Sequence, residues 1–156
     1  MVWPHDLISI TLAVVLGAGI GLERELSGKA AGLRTNLLIC LGAAIFTIIS
    51  GEWAKETGDS ITRISAQIVS GVGFLGAGAI IQDRGGVHGL TTAATIWLVA
   101  SIGMACGARF YQLAIISTLI AIIVLLGLRK VSRNLESSME RRKQLKSPNK
   151  QDSEPL

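Results

Sequence analysis

Five long stretches of this chain contain no Asp, Glu, Lys or Arg: residues 7–22, 35–51, 64–82, 85–108 and 110–128. Each approaches or exceeds the ~18–20 residues that carry an α-helix across hydrocarbon. The pattern predicts an all-α, polytopic membrane protein with five transmembrane helices. The first stretch is the shortest. Its 16 residues would reach about 24 Å against a core of about 30 Å. The chain continues as Glu23-Arg24-Glu25, and two readings of that triplet stand. It is either a solvated helix end, or a set of charges below the lipid surface that faces protein or a water-filled pocket. A charge held at membrane depth is a functional candidate by default.

The third stretch is unusual for a spanning helix because it contains Gly71, Gly73, Gly76 and Gly78. In water each glycine would cost a helix roughly 1 kcal/mol relative to alanine. In lipid the backbone has no competing water, and glycine lets a neighbouring helix come close. The four glycines are therefore expected to make residues 64–82 the packing hub. The same segment spells GxGxxG at residues 71–76. A dinucleotide-binding turn needs a preceding strand and an acid about 20 positions on. Here the flanks are apolar and the next acid is Asp83, so helix packing is the preferred reading.

Composition agrees with a membrane protein: 49% of residues are apolar, only 17% are charged and the mean hydropathy is +0.51. Lys and Arg set the orientation. With the C-terminus inside, twelve of the fifteen lie on the cytoplasmic side and three, Lys55, Arg63 and Arg109, lie outside. The N-terminus is then outside. The first residues lack the basic n-region of a cleavable signal, so the first helix is expected to stay in the mature protein. Residues 1–130 read as the transmembrane domain and 131–156 as a basic cytoplasmic tail. Leu128, Val131, Leu135 and Met139 recur at helical spacing, whereas residues 146–156 have few apolar side chains and are expected to be disordered. No second folded domain is expected. The tail's charge favours anionic lipid and not nucleic acid.

Candidate chemistry is sparse. Arg34 enters the second helix on the side of Glu23 and Glu25, which predicts one Arg–carboxylate pair there. The outer loop holds Glu52, Glu56 and Asp59 against Lys55. These acids read as solvated charge and not as a metal site, and no metal or cofactor is expected. Asp59 and Arg63 have the i, i+4 spacing of a helix pair. Arg63, Gln67 and Gly71 share one helix face. His88 reads as a hydrogen-bonded interface residue. Thr91, Thr92 and Thr95 are too polar to face lipid comfortably, so they either pack against the glycines of the third helix or line a polar cavity. Cys40 and Cys106 are expected at different depths, as packing residues beyond bridging distance.

Several pieces together resemble the MgtC/SapB family of bacterial membrane proteins. They are Gly21-Leu22-Glu23-Arg24-Glu25, Ala31-Gly32-Leu33-Arg34-Thr35, the run from Arg63 to Gly78, and Gly89-Leu90-Thr91-Thr92-Ala93-Ala94-Thr95-Ile96-Trp97. The resemblance implies a protein of the bacterial inner membrane with about five spans. It implies a regulatory role linked to magnesium limitation, stress and intracellular survival in pathogens, with partners such as the membrane ATP synthase. By position it puts forward Glu23, Arg24, Glu25, Arg34, Arg63, Gln67, the 71–78 glycines, Thr91, Thr92 and Trp97 as site residues. Some members carry Asn where this chain has Thr91. Longer members add a soluble ACT-type domain, whereas here a short basic tail is expected to follow the fifth helix.

Two function classes follow. The first is a non-enzymatic regulator, expected to be homo-oligomeric, that contacts membrane partners through small-residue faces. The alternative is a small oligomeric ion transporter or channel built on Glu23, Arg24, Glu25 and Arg34. An enzyme is not expected, because the sequence has no nucleophile–base set, metal-ligand spacing or P-loop.

Overall fold

The computed structural model describes residues 4–58, 60, 62–83 and 86–127. Five helices carry the fold: α1 (Pro4–Leu26), α2 (Leu33–Thr57), α3 (Thr62–Gly78), α4 (Leu90–Gly107) and α5 (Tyr111–Gly127). Among these, α1, α2 and α4 are long and apolar enough to cross a membrane, and α5 is a shorter apolar helix. The chain divides into a unit of residues 1–122 and a second unit beginning at Ile123. The expected amphipathic continuation and the disordered tail lie outside the described residues.

The helices differ from the uncharged stretches at their ends. Helix α1 runs on through Glu23, Arg24 and Glu25. Its 23 residues therefore reach about 35 Å, not 24 Å. Helix α2 extends past the uncharged stretch to Thr57, taking in Trp53. Helix α3 ends early, at Gly78. The residues after it form a small antiparallel hairpin, β1 (Ile81–Asp83) with β2 (Gly86–His88), in which Ile81 pairs with His88. The expected tight turn is thus a hairpin. Gly89 closes it with φ of 86°, and a Cβ there would overlap the Ala79 carbonyl. No L side chain fits that position comfortably.

Close approaches between backbones show how the helices run. Gly21 lies against Leu33 and Gly17 against Cys40, so α1 and α2 are antiparallel. Gly103 lies against Cys40 and Gly107 against Ala44 and Thr47, so α2 and α4 are parallel. Ser9 bonds Tyr111 at 3.0 Å and Gly19 faces Ile122, so α1 and α5 are parallel. A core of Ala43, Ile68, Val72, Ile96 and Ala100 joins α2, α3 and α4.

Two sequence expectations are corrected here. The first is the packing hub. At 100° per residue, Gly71 and Gly78 point to one side of α3, Gly76 to a second and Gly73 to a third. Only Gly76 meets a neighbouring helix, 3.6–3.9 Å from Ala93, while a Cβ at Gly71, Gly73 or Gly78 would meet nothing within 4 Å among the described residues. The close-packing glycines are Gly17 and Gly21, in the small-residue run at 17–21 where the sequence also predicts a close-packing face on the first helix, and Gly103 and Gly107 on α4.

The second correction concerns the cysteines. Cys40 and Cys106 are both free and fully buried. The Cys40 carbonyl abuts Gly103, which is one helical turn, about 4.5 Å of rise, from Cys106. They lie at neighbouring depths because α4 runs parallel to α2 in a register that sets Gly103 level with Cys40. Its last turn reaches only the middle of α2.

Candidate functional site

The charged cluster forms where α1 ends and α2 begins. Glycines at 17 and 21 let α2 come so close that Gly21 lies under the Leu33 backbone. This contact carries the next turn of α1 into the protein. Arg24 is 3% exposed and Glu23 8%, so both are interior groups and not a solvated helix end. Arg24 Nε donates to Glu23 Oε2 at 2.6 Å and Nη2 to Oε1 at 3.2 Å. Ser27 Oγ also donates to Oε1, at 2.7 Å. Neighbours on a helix do not ordinarily face each other; these two meet because both side chains are long and confined. A buried charge is tolerable only when paired and hydrogen-bonded.

Asn36 completes the interior, and the sequence reading did not single it out. It is fully buried, and its Nδ2 donates to the carbonyls of Ala31 and Gly32. Arg24 Nη1 and Asn36 Oδ1 are buried without a hydrogen-bond partner among the described residues. An Asn in the first turn of an apolar helix was the available signal. Glu25 does something different. It is exposed, and its carboxylate accepts from Leu33 N–H at 2.8 Å, at the positive start of α2. Gly32 leaves the space in which that carboxylate sits. The expected pair with Arg34 is corrected: Arg34 is exposed, and Arg24 makes the ion pair.

The remaining candidates lie elsewhere. Thr92 and Thr95 are buried near the start of α4, while Thr91 is exposed. Thr95 satisfies its hydroxyl on the Thr91 carbonyl, one turn back, as Thr47 and Thr118 do on Ala43 and Ala114. Trp97 is 54% exposed and lines an apolar cavity of about 410 Å³ with Ile68, Val72, Met104 and Phe110. Arg63 and Gln67 lie at the opposite end of the bundle from Glu23, beside Ser50, Trp53 and Ser60. The nine polar candidates therefore do not form one site. His88 is exposed, 3.5 Å from Asp83 across the hairpin. The acid of the expected Asp59–Arg63 pair lies outside the described residues. Lys55 pairs with Glu52 at 2.6 Å. Among the described residues no group of three His, Cys, Asp or Glu could hold a metal.

The arrangement is that of a helical membrane protein with a neutralised charge pair sealed into one end. The family profile of MgtC matches residues 10–134. The chain belongs to the MgtC family. Protein MgtC of Brucella abortus is 44% identical over 146 residues, covering 91% of this chain and 60% of its own length. Protein MgtC of Salmonella typhimurium is 42% identical over 135 residues, covering 86% and 57%. An uncharacterised Synechocystis protein is 42% identical over 132 residues, covering 85% and 56%. This MgtC-family chain thus spans less than two thirds of the length of these relatives. No solved structure matches it.

Proposed function

We propose that this chain is a non-enzymatic regulatory protein of the bacterial inner membrane. It works by helix–helix contact with membrane partners during magnesium limitation and related stress. In this reading all five helices span the bilayer, with the N-terminus outside and the C-terminus cytoplasmic. The alternating helix directions and the Lys/Arg bias support that topology.

The observation that carries the reading is a ridge on α3. Ala66, Ser70, Gly73 and Ala77 fall at i, i+4, i+7 and i+11, and all four are exposed. In lipid such a stripe lets a second backbone approach closely. Phe74, 81% exposed beside it, supplies apolar contact. Photocrosslinkers placed at Ser70 and Ala77 in living cells test this. The expected result is crosslinks to membrane proteins, with ATP synthase subunits the first to look for, that disappear in Gly73→Leu. An unchanged partner set in that variant, at normal expression, overturns the reading.

A second reading, ion transport, draws on the unpartnered Arg24 Nη1 and Asn36 Oδ1 beside a buried ion pair. It predicts a flux of H⁺, K⁺ or Mg²⁺ in proteoliposomes that is lost in Glu23→Gln while assembly is retained. Silent, correctly oriented protein removes it.

A further inference from the structure

Two cavities lie side by side between α2 and α3. Between the last turns of α2 and the first turns of α3 lies a polar recess of about 580 Å³, walled by Ser50, Trp53, Ser60, Arg63 and Gln67. Next to it, between the same two helices, runs an apolar groove of about 490 Å³ lined by Leu38, Phe46, Ile68 and Leu75. Ile64 and Gln67 border both. From Gln67 to Leu75 the groove follows α3 for about 12 Å. Gly42 and Gly71 line its walls, and a Cβ at either would meet nothing within 4 Å among the described residues. Missing side chains thus keep the groove open.

The chemistry at the two ends differs in a way that selects the occupant. Arg63 is the charged side chain among the described residues of the recess, and it calls for an anion. Arg63 already interacts within the chain, but a guanidinium has five N–H donors and can serve more than one acceptor. Gln67 adds an amide donor and the serines add hydroxyls. Trp53, 59% exposed, has the amphipathic ring typical of the headgroup level. The groove offers only hydrocarbon contact. A free anion would leave the groove unfilled, and a partner helix would reach Arg63 only with an Asp or Glu placed at the headgroup level. A molecule with a phosphate at one end and an alkyl chain at the other satisfies both.

We propose that the α2/α3 cleft binds one glycerophospholipid, with its phosphodiester at Arg63 and Gln67 and one acyl chain along the groove past Gly71. This site is separate from the α3 ridge and stands whether or not that ridge binds a partner.

The test uses purified, delipidated full-length protein and native mass spectrometry. The probes are phosphatidylglycerol, phosphatidylethanolamine, glycerol phosphate and monoacylglycerol. The expected result is one phospholipid retained per protomer, with glycerol phosphate and monoacylglycerol both failing at the same concentration. Arg63→Ala with Gln67→Ala should lower retention roughly tenfold or more, since a hydrogen-bonded charge is lost. Gly71→Leu should block the groove at an unchanged melting temperature. Equal binding of glycerol phosphate would reduce the site to an anion pocket, and equal binding of monoacylglycerol to a greasy groove. Either result overturns the proposal, as does wild-type retention in Gly71→Leu. If the Arg63 variant fails to fold, the probe series and Gly71→Leu still decide.

Discussion

Helices α1, α2 and α4 are joined by glycines that have nowhere to put a side chain, whereas α3 displays glycines with open space around them. At Gly17 a Cβ would lie 2.6 Å from the Cys40 Cβ, and at Gly103 it would overlap the Cys40 carbonyl. At Gly71 and Gly73 it would meet nothing within 4 Å among the described residues. The same residue type therefore does two jobs. In the first region, backbone-to-backbone packing lets one end of the bundle enclose a charge pair. In the second, missing side chains leave α3 with a groove on the α2 side and a bare ridge on its outer side. Density of glycine along a sequence does not say which helix is packed against its neighbours. The residues opposite decide that.

The largest effect should come from the closed region. Arg24→Ala leaves Glu23 buried with its main partner gone and should cost about 3–5 kcal/mol, read as a large fall in thermal stability of the purified protein. The double variant Glu23→Gln with Arg24→Met should recover much of that, because it leaves no unpaired charge. If Arg24→Ala is as stable as wild type, the pair is not enclosed as described. Next comes Gly103→Ala, whose Cβ would press on the Cys40 carbonyl. Overpacking of this kind costs about 1–3 kcal/mol, and Gly21→Ala against Leu33 should behave alike. Glu25→Ala should cost about 1 kcal/mol, the worth of a helix N-terminal acceptor, and amide exchange at Leu33 should speed up. The smallest effect should be Gly73→Leu: within about 0.5 kcal/mol in purified protein, although it is the variant expected to abolish partner contact. A destabilisation by Gly73→Leu equal to that of Gly103→Ala would erase the contrast between the two regions.

Much of the fold was legible because charge is so unevenly spread. Every described helix contains most of one uncharged stretch. Helix α3 stops before the end of its stretch because β1 and β2 pair there, a strand pairing that hydropathy does not register. The candidate site was legible in part. Glu23 and Arg24 stood out as charges at the end of an apolar run, but Asn36 did not. Its importance comes from being pressed against Gly21 by the α1/α2 approach. Arg34 looked like the natural partner for Glu23 and Glu25, yet the first turn of α2 points it outward. Arg24, one residue from Glu23, had no special claim by helix periodicity.

The sequence by itself determined that the chain is helical and built for lipid. Long uncharged runs admit few other solutions where every backbone polar group must find its partner within the chain. It also determined where small residues and charges occur. Only the tertiary structure decided which glycines are packed and which are bare, and which of three neighbouring charges is buried, capping or exposed. It also brought the two cysteines to neighbouring depths. These outcomes depend on helix lengths and rotations. A shift of one residue turns a side chain by 100°, and the register of α4 against α2 sets its last turn beside Ala44 and Thr47, at the middle of α2.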